Sequence, residues 1–209
     1  MKSFFAKQPK GIRGGLLLLP LVLLLACTAR NSRQPDAREV TLTFAPLRCL
    51  VPAQYQLTTP VRYIRMLQRL HGPAEVQVRT AQVEAMLAKG YLFDLYVDSL
   101  NADHTLWFVD GPYVRLNKDI IRYHVGTIEQ TFRSQMESEG VTVRRVDNAF
   151  YNGRAAQLLK VKFEWRSGDV RSYTTEYILT TYTRSVLIMV NHSDPQDYEE
   201  LIRQVKASE

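Results

Sequence analysis

The densest run of groups able to do chemistry is "DLYVDSLNADHTLWFVD", which holds Asp94, Asp98, Asn101, Asp103, His104 and Asp110. Clustered carboxylates suit a hard cation such as Ca²⁺, which takes roughly six to eight oxygen ligands. The spacing matches no calcium loop, and Asn101-Ala102-Asp103 reads as turn chemistry. Solvated loop acids are the expectation, and no metal site is assigned. The histidines His71, His104, His124 and His192 are scattered along the chain. His124 falls beside the apolar face of a predicted helix, where a core-edge role is expected. Arg62, Arg65 and Arg69 form a stripe on a short predicted helix. A solvated face is expected there, with contact to anionic lipid or an acidic partner as the alternative. Tyr173, Tyr177 and Tyr182 fall on predicted strands, where aromatics fill sheet–helix cores or anchor interfaces. A G-x-S-x-G elbow, P-loop, dinucleotide fingerprint, H-E-x-x-H and paired C-x-x-C are all absent from the sequence, so no catalytic residue and no cofactor is expected.

The N-terminus carries a different kind of signal. Lys2, Lys7, Lys10 and Arg13 precede an apolar run from Leu16 to Ala26 that contains Pro20. A membrane span needs about 20 apolar residues, so this run is short for one. A basic region, a short apolar region and a small residue before a cut describe a signal peptide, here residues 1–26. Leu24-Leu25-Ala26-Cys27 resembles the lipobox of bacterial lipoproteins. That resemblance implies lipidation of Cys27, which becomes the new N-terminus and usually carries three acyl chains that hold the protein on a membrane. In enterobacterial lipoproteins an Asp after the lipidated Cys favours inner-membrane retention. Thr28 stands there, which points to the outer membrane, facing the periplasm.

Processing changes the charge argument. Four of the 27 basic residues precede Cys27, leaving 23 against 21 acidic, so the net charge falls from +6 to +2. Much of the basicity belongs to the export signal, and a nucleic-acid partner is not expected. With Cys27 lipidated, Cys49 is the one remaining thiol. Its apolar setting, "PLRCLVP", predicts a buried, inert side chain. Residues 27–38 are polar and read as the lipidated end plus a flexible tether, leaving 39–209 for a single domain.

The remaining residues must build that domain. "EVTLTF" and "CLVPAQYQL" read as strands, with Pro52 at an edge or bulge. Thr59-Pro60 opens a short helix through Val61, Ile64 and Leu67 that ends at His71-Gly72-Pro73. A second helix is predicted over Glu75 to Lys89, closed by Gly90. "YLFDLYV" and "TLWFVD" are further strands. Ile121, Val125, Ile128, Phe132 and Met136 share one face of a helix predicted over 117–139, capped by Asn117 and Gly140. The period then changes to two. "VTVRRV" leads to an Asn152-Gly153 hairpin, after which Leu159, Val161, Phe163 and Trp165 alternate with Lys160, Lys162, Glu164 and Arg166. That pattern predicts a strand with one buried and one wet face. "VRSYTTEYILTTYT" and "RSVLIMV" follow as strands, the latter apolar on both faces and so central. Asp194-Pro195 is predicted to open a closing helix with Tyr198, Leu201, Ile202 and Val205 as its stripe. The expected fold class is α+β, an antiparallel sheet packed between helices as an α/β/α sandwich.

The run of long helix, "YNGRAAQLLKVKFEW", "YILTTYTRSVLIMV" and "DPQDYEELIRQV" resembles the C-terminal half of PsbP/DcrB-like domains, over about Asn117 to Lys206. The two helices before "YLFDLYV" look like an insertion. The resemblance implies a PsbP-like sandwich and a role in binding without catalysis. The functional expectation is a membrane-anchored, periplasm-facing accessory module of an envelope complex, with a protein partner. The alternatives are a carrier for a small or lipidic ligand held between sheet and helix, and an unrecognised hydrolase.

Overall fold

The computed structural model describes residues 36–137 and 140–207, without the side chains of 74, 75, 77–79, 81, 82 and 207. The expected signal peptide, Cys27 and the expected tether up to residue 35 lie outside the described residues. The strands are β1 (Ala37–Thr41), β2 (Leu47–Pro52), β3 (Tyr55–Thr58), β4 (Phe93–Asp98), β5 (Thr105–Gly111), β6 (Thr142–Asn152), β7 (Gln157–Ser167), β8 (Val170–Thr180), β9 (Ser185–His192) and β10 (Lys206–Ala207). The helices are α1 (Pro60–Leu70), α2 (Pro73–Ala88), α3 (Ile121–Glu137) and the single turn α4 (Glu199–Ile202).

Seven strands form one antiparallel sheet in the order β3-β4-β5-β9-β8-β7-β6. The doubly apolar strand β9 stands at its centre, as its composition requires. A second sheet, β1-β2-β10, has three strands. β1 begins at Ala37, two residues inside the stretch read as tether. "CLVPAQYQL" is two strands in different sheets, because the chain turns at Ala53-Gln54 after Pro52, which has no N–H to extend the ladder.

Alternation sorts the large sheet into two faces. Leu95, Trp107, Met189, Leu159, Val161 and Phe163 point to the helical side. There they meet Tyr63 and Leu67 of α1, Val83 of α2, and Val125 and Phe132 of α3. α1 buries Tyr63 and Leu67 and leaves Val61 exposed, so its inward stripe is not the Val61–Ile64–Leu67 set. α3 uses the predicted face, and Phe132 stacks on Phe163 with ring centroids 4.5 Å apart. Asn117 Oδ1 accepts from the N–H groups of Asp119 and Ile120 and so caps the turn that leads into α3. At the other end Gly140 takes φ +73°, and Val141 donates back to Met136, which closes the last carbonyls.

The opposite face carries Tyr96, Leu106, Phe108, Ile188, Val190, Tyr177 and Leu179. Its cover is not a helical layer. The three-stranded sheet contributes Leu47, Cys49 and Val51, and the C-terminal segment adds Tyr198, Leu201 and Ile202. The arrangement is therefore helices on one face only, with a small sheet and one helical turn on the other. The closing helix expected from Asp194 is reduced to that turn because Lys162 Nζ donates to the carbonyls of Pro195 (2.8 Å) and Gln196 (3.2 Å). Those oxygens would otherwise accept intrahelical bonds.

Of the wet face predicted for β7, Arg166 is exposed and the other three residues are covered. Lys160, Lys162 and Glu164 are 3, 6 and 4 % exposed. Charged residues alternating with apolar ones normally mark solvent, but here the C-terminal segment and neighbouring arginines lie over them. The β6–β7 connection is a loop closed by Gly153 N–H donating to Ala156 O at 3.0 Å. A Cβ at Gly153 would sit 2.7 Å from that oxygen, so the close approach demands glycine.

Candidate functional site

The acidic stretch divides between the two ends of the sheet. Asp94 is the second residue of β4 and is buried. Its carboxylate accepts from Thr43 N–H at 2.8 Å and Thr43 Oγ at 2.5 Å, which pins the β1–β2 loop. Asp110 lies at the same end, 3.5 Å from Arg184. Asp98, Asn101, Asp103 and His104 lie at the far end, four residues of strand away from Asp94, or about 13 Å. No group of three potential ligands suited to a metal occurs among the described residues.

That far end gathers three of the histidines. Pairing of Thr105 with Asn191 places His104 beside His192, their rings stacked at 3.6 Å and 20°. Asn101 Oδ1 accepts from Asp103 N–H, which orients the amide so that Nδ2 donates to His104 Nε2 at 3.0 Å. His104 Nε2 is therefore an acceptor, and Ser193 Oγ donates to it at 2.7 Å. Nδ1 then carries the proton and faces Asp98 Oδ2 at 3.6 Å. Asp98–His104–Ser193 thus has the order of an acid–base–nucleophile relay. The N–H following the serine, on Asp194, is spent on His192 Nδ1 at 3.1 Å and is not free to meet an oxyanion. Asn101 also competes with Ser193 for the one imidazole lone pair. The group ties the β4–β5 loop to the end of β9. Burial, then the adjacent His104, push the His192 imidazole down to about 4, so it is neutral at pH 7. His71 joins the margin through Asp103, at 2.6 Å.

A second polar cluster fastens the C-terminal segment. Lys160 Nζ meets Asp147 at 2.8 Å, Asp197, and Glu199 at 3.2 Å. Burial opposes its charge, but bonds from Asp147, Asp197 and Glu199 outweigh that and hold its pKa above the usual lysine value. Asp197 also accepts from Tyr177 Oη at 2.7 Å. It is held below the ordinary aspartate value, because Lys160 and Tyr177 more than offset its burial. Lys162 is lowered by burial. A β-bulge between Arg145 and Asp147 re-aims β6, so that Asp147 faces Lys160.

Glu164 is a third centre, and the sequence gives no sign of it. Its carboxylate accepts from Arg144 (3.0 Å), Arg166 (2.9 and 2.8 Å) and Arg171 (3.0 Å). These bonds overcome its burial and hold the carboxyl at about 2. On the helical face Glu176 lies between Val161 and Met189, where the α3 cluster meets the α1–α2 cluster. Burial raises its carboxyl to about 7, and among the described residues no ion pair or hydrogen bond engages it.

The other singled-out residues do not converge. Arg62, Arg65 and Arg69 lie on the exposed side of α1. Tyr173 and Tyr177 are buried, whereas Tyr182 is 84 % exposed and bonds Arg154 O. His124 sits apart on α3, its Nε2 buried without a hydrogen-bond partner. Cys49 is buried, and its thiol is pushed up to about 12 by burial, so it is inert at neutral pH.

No protein-family model and no curated protein sequence matches the chain. Among solved structures it is similar to the solution structure of cyanobacterial PsbP (CyanoP) from Synechocystis sp. PCC 6803. The TM-score is 0.50 at 7 % identity, over 85 % of this chain and 95 % of that one. The likeness therefore extends well beyond the half in which the sequence suggested it. At this identity it concerns the fold alone. The chain is an α+β protein with a PsbP-like fold.

Proposed function

We propose that the protein is a lipid-anchored accessory module of the bacterial cell envelope, held on the membrane through Cys27, facing the periplasm and docking to a protein partner without catalysing a reaction. The observation that carries the non-catalytic part is how the one relay-like group is bonded. The N–H beside Ser193 is spent on His192, and the imidazole lone pair is shared with Asn101. The buried charges elsewhere on that face bind one another and hold the fold. The anchor rests on the lipobox-like Leu24-Leu25-Ala26-Cys27, and several acyl chains would give a stable attachment where one would not.

The test uses the full chain in its native host. Wild-type protein is expected in the membrane fraction with a lipid mass increment, and Cys27→Ser is expected to lose both. In-cell crosslinking with the wild type is expected to trap a defined envelope protein. Residence on the membrane by the Cys27→Ser protein, or no trapped partner, overturns the reading.

The carrier alternative is favoured by one observation, Glu176. A carboxyl kept partly protonated near neutral pH at an apolar seam between sheet and helices can hydrogen-bond a small ligand. Native mass spectrometry of the purified protein decides between them, since a carrier retains ligand and a docking module shows the bare chain mass.

A further inference from the structure

The accessory reading leaves open what the partner presents, and the Glu164 cluster bears on that. Arg144 lies on β6 opposite Glu164 on β7, and Arg166 on β7 lies opposite Arg171 on β8. Like charges directly opposite in an antiparallel pair destabilise the sheet. Here the sheet places two arginines face to face and a third beside them, with one carboxylate between. Glu164 is 4 % exposed, while the arginine side chains are 69, 58 and 51 % exposed. The carboxylate thus acts as a buried post that orients three guanidinium groups and leaves them accessible. The cluster keeps a net charge of +2, and Asp169 in the β7–β8 turn makes no ion pair with it. Arg171 is further fixed over the Tyr173 ring, 5.3 Å from its centroid.

We propose that Arg144, Arg166 and Arg171, gathered on Glu164, form the surface on which an acidic protein segment of the partner docks. The guanidinium is a rigid fork matched to carboxylates, and preorganisation reduces the entropy lost on pairing. The choice of a carboxylate-bearing chain over a single phosphate follows from which donors are spent. The convergent donors already hold Glu164, so a compact anion at the centre would meet that carboxylate. The three arginines rise from three different strands, whose backbones lie about 4.8 Å apart, so the donors not facing Glu164 are better met by carboxylates spaced along a chain than by one compact anion.

This inference rests on the accessory reading, and the experiment separates the two. The probe is a fluorescent decapeptide of alternating Glu and Ser, with a Gln-for-Glu control peptide and with phosphatidylglycerol vesicles as a third arm. The variant is Arg144→Gln/Arg171→Gln, which keeps the two-point Arg166–Glu164 pair and so keeps the post neutralised. Arg62→Gln/Arg69→Gln removes the same charge from α1. The acidic peptide is expected to bind wild type in a salt-sensitive manner. Affinity is expected to fall at least ten-fold in Arg144→Gln/Arg171→Gln and less than two-fold in the α1 variant, with unchanged melting temperature. Equal losses in both variants, equal binding of the Gln peptide, or binding to vesicles alone overturns the inference. In cells, a wild type that traps no protein sinks the accessory reading itself. A partner trapped equally well by Arg144→Gln/Arg171→Gln sinks only the docking surface.

Discussion

His192 and Glu176 lie on opposite faces of adjacent strands, and their titrations pull stability in opposite directions. The His192 imidazole is lowered to about 4, so its contribution is complete above the unfolded value near 6.5 and declines as pH falls toward 4. The Glu176 carboxyl is raised to about 7, so its contribution is complete below the unfolded value near 4.5 and is lost as pH rises through 7. Between about pH 4.5 and 6.5 the two slopes oppose each other. Substitution of either residue unmasks the other. Glu176→Gln is expected to stabilise the protein by on the order of 2 kcal/mol at pH 8 and by little at pH 4.5, read as melting temperature against pH. His192→Asn keeps an acceptor for Asp194 N–H but does not titrate. It is expected to flatten the loss of stability between pH 6.5 and 4. Ser193→Ala tests the relay. Fluorophosphonate labelling is expected to be absent in wild type and variant alike, and labelling that depends on Ser193 would contradict the non-catalytic proposal.

Among the elements, the C-terminal segment departs furthest from its sequence pattern. Tyr198, Leu201, Ile202 and Val205 are buried as a helical stripe would be, yet α4 is a single turn. Lys160 and Lys162 hold the residues before it in an irregular path. Lys160 is buried, but Asp147 and Asp197 are 50 and 36 % exposed, so solvent screens them and removing the lysine costs on the order of 1–2 kcal/mol, less than breaking a fully buried pair. Lys160→Met takes the lysine from Asp147 and Glu199, while Asp197 keeps Tyr177 and Lys162. It is expected to lower stability by about that amount and to raise hydrogen exchange across residues 195–205. Exchange confined to the helices would show that the lysine does not fasten the segment. Why these features escaped the sequence is a matter of separation. Lys160 and Asp197 are 37 residues apart and Ser193 and His104 are 89 apart, and strand register alone brings them together. Periodicity, by contrast, is local. It revealed α3, the β6–β9 meander and the central position of β9, because each depends on which neighbours within a few residues are apolar. It misread β7, since alternation reports two chemical faces without saying what covers the polar one.

For the whole molecule, the two faces of the large sheet divide the work. The helical face is mostly hydrocarbon, with Glu176 at its seam, and the opposite face mixes a hydrocarbon centre with charged margins. Its charges divide again. The lysines turn inward to hold the chain, and the arginines around Glu164 stay in solvent. The PsbP-like fold was legible in the order of elements over the C-terminal half, and the match to CyanoP covers 85 % of the chain. The site was not legible. Arg144, Arg166 and Arg171 look like ordinary surface charges until the register sets all three against one carboxylate.

The three-stranded sheet has a mechanical consequence. β1 is where the described chain enters the fold, and its first pair joins Ala37 to Pro52 on β2, backed by the Ala53 N–H bond to Asp36 O. β10 lies on the other side of β2. A pull arriving through the residues before Asp36 falls first on that outermost pair and opens β1 from β2 one rung at a time. Such peeling also breaks the Arg38 bond to Tyr55 O on β3, so under the proposed attachment through Cys27 the edge strand β1 is the first element to give way, ahead of the seven-stranded sheet.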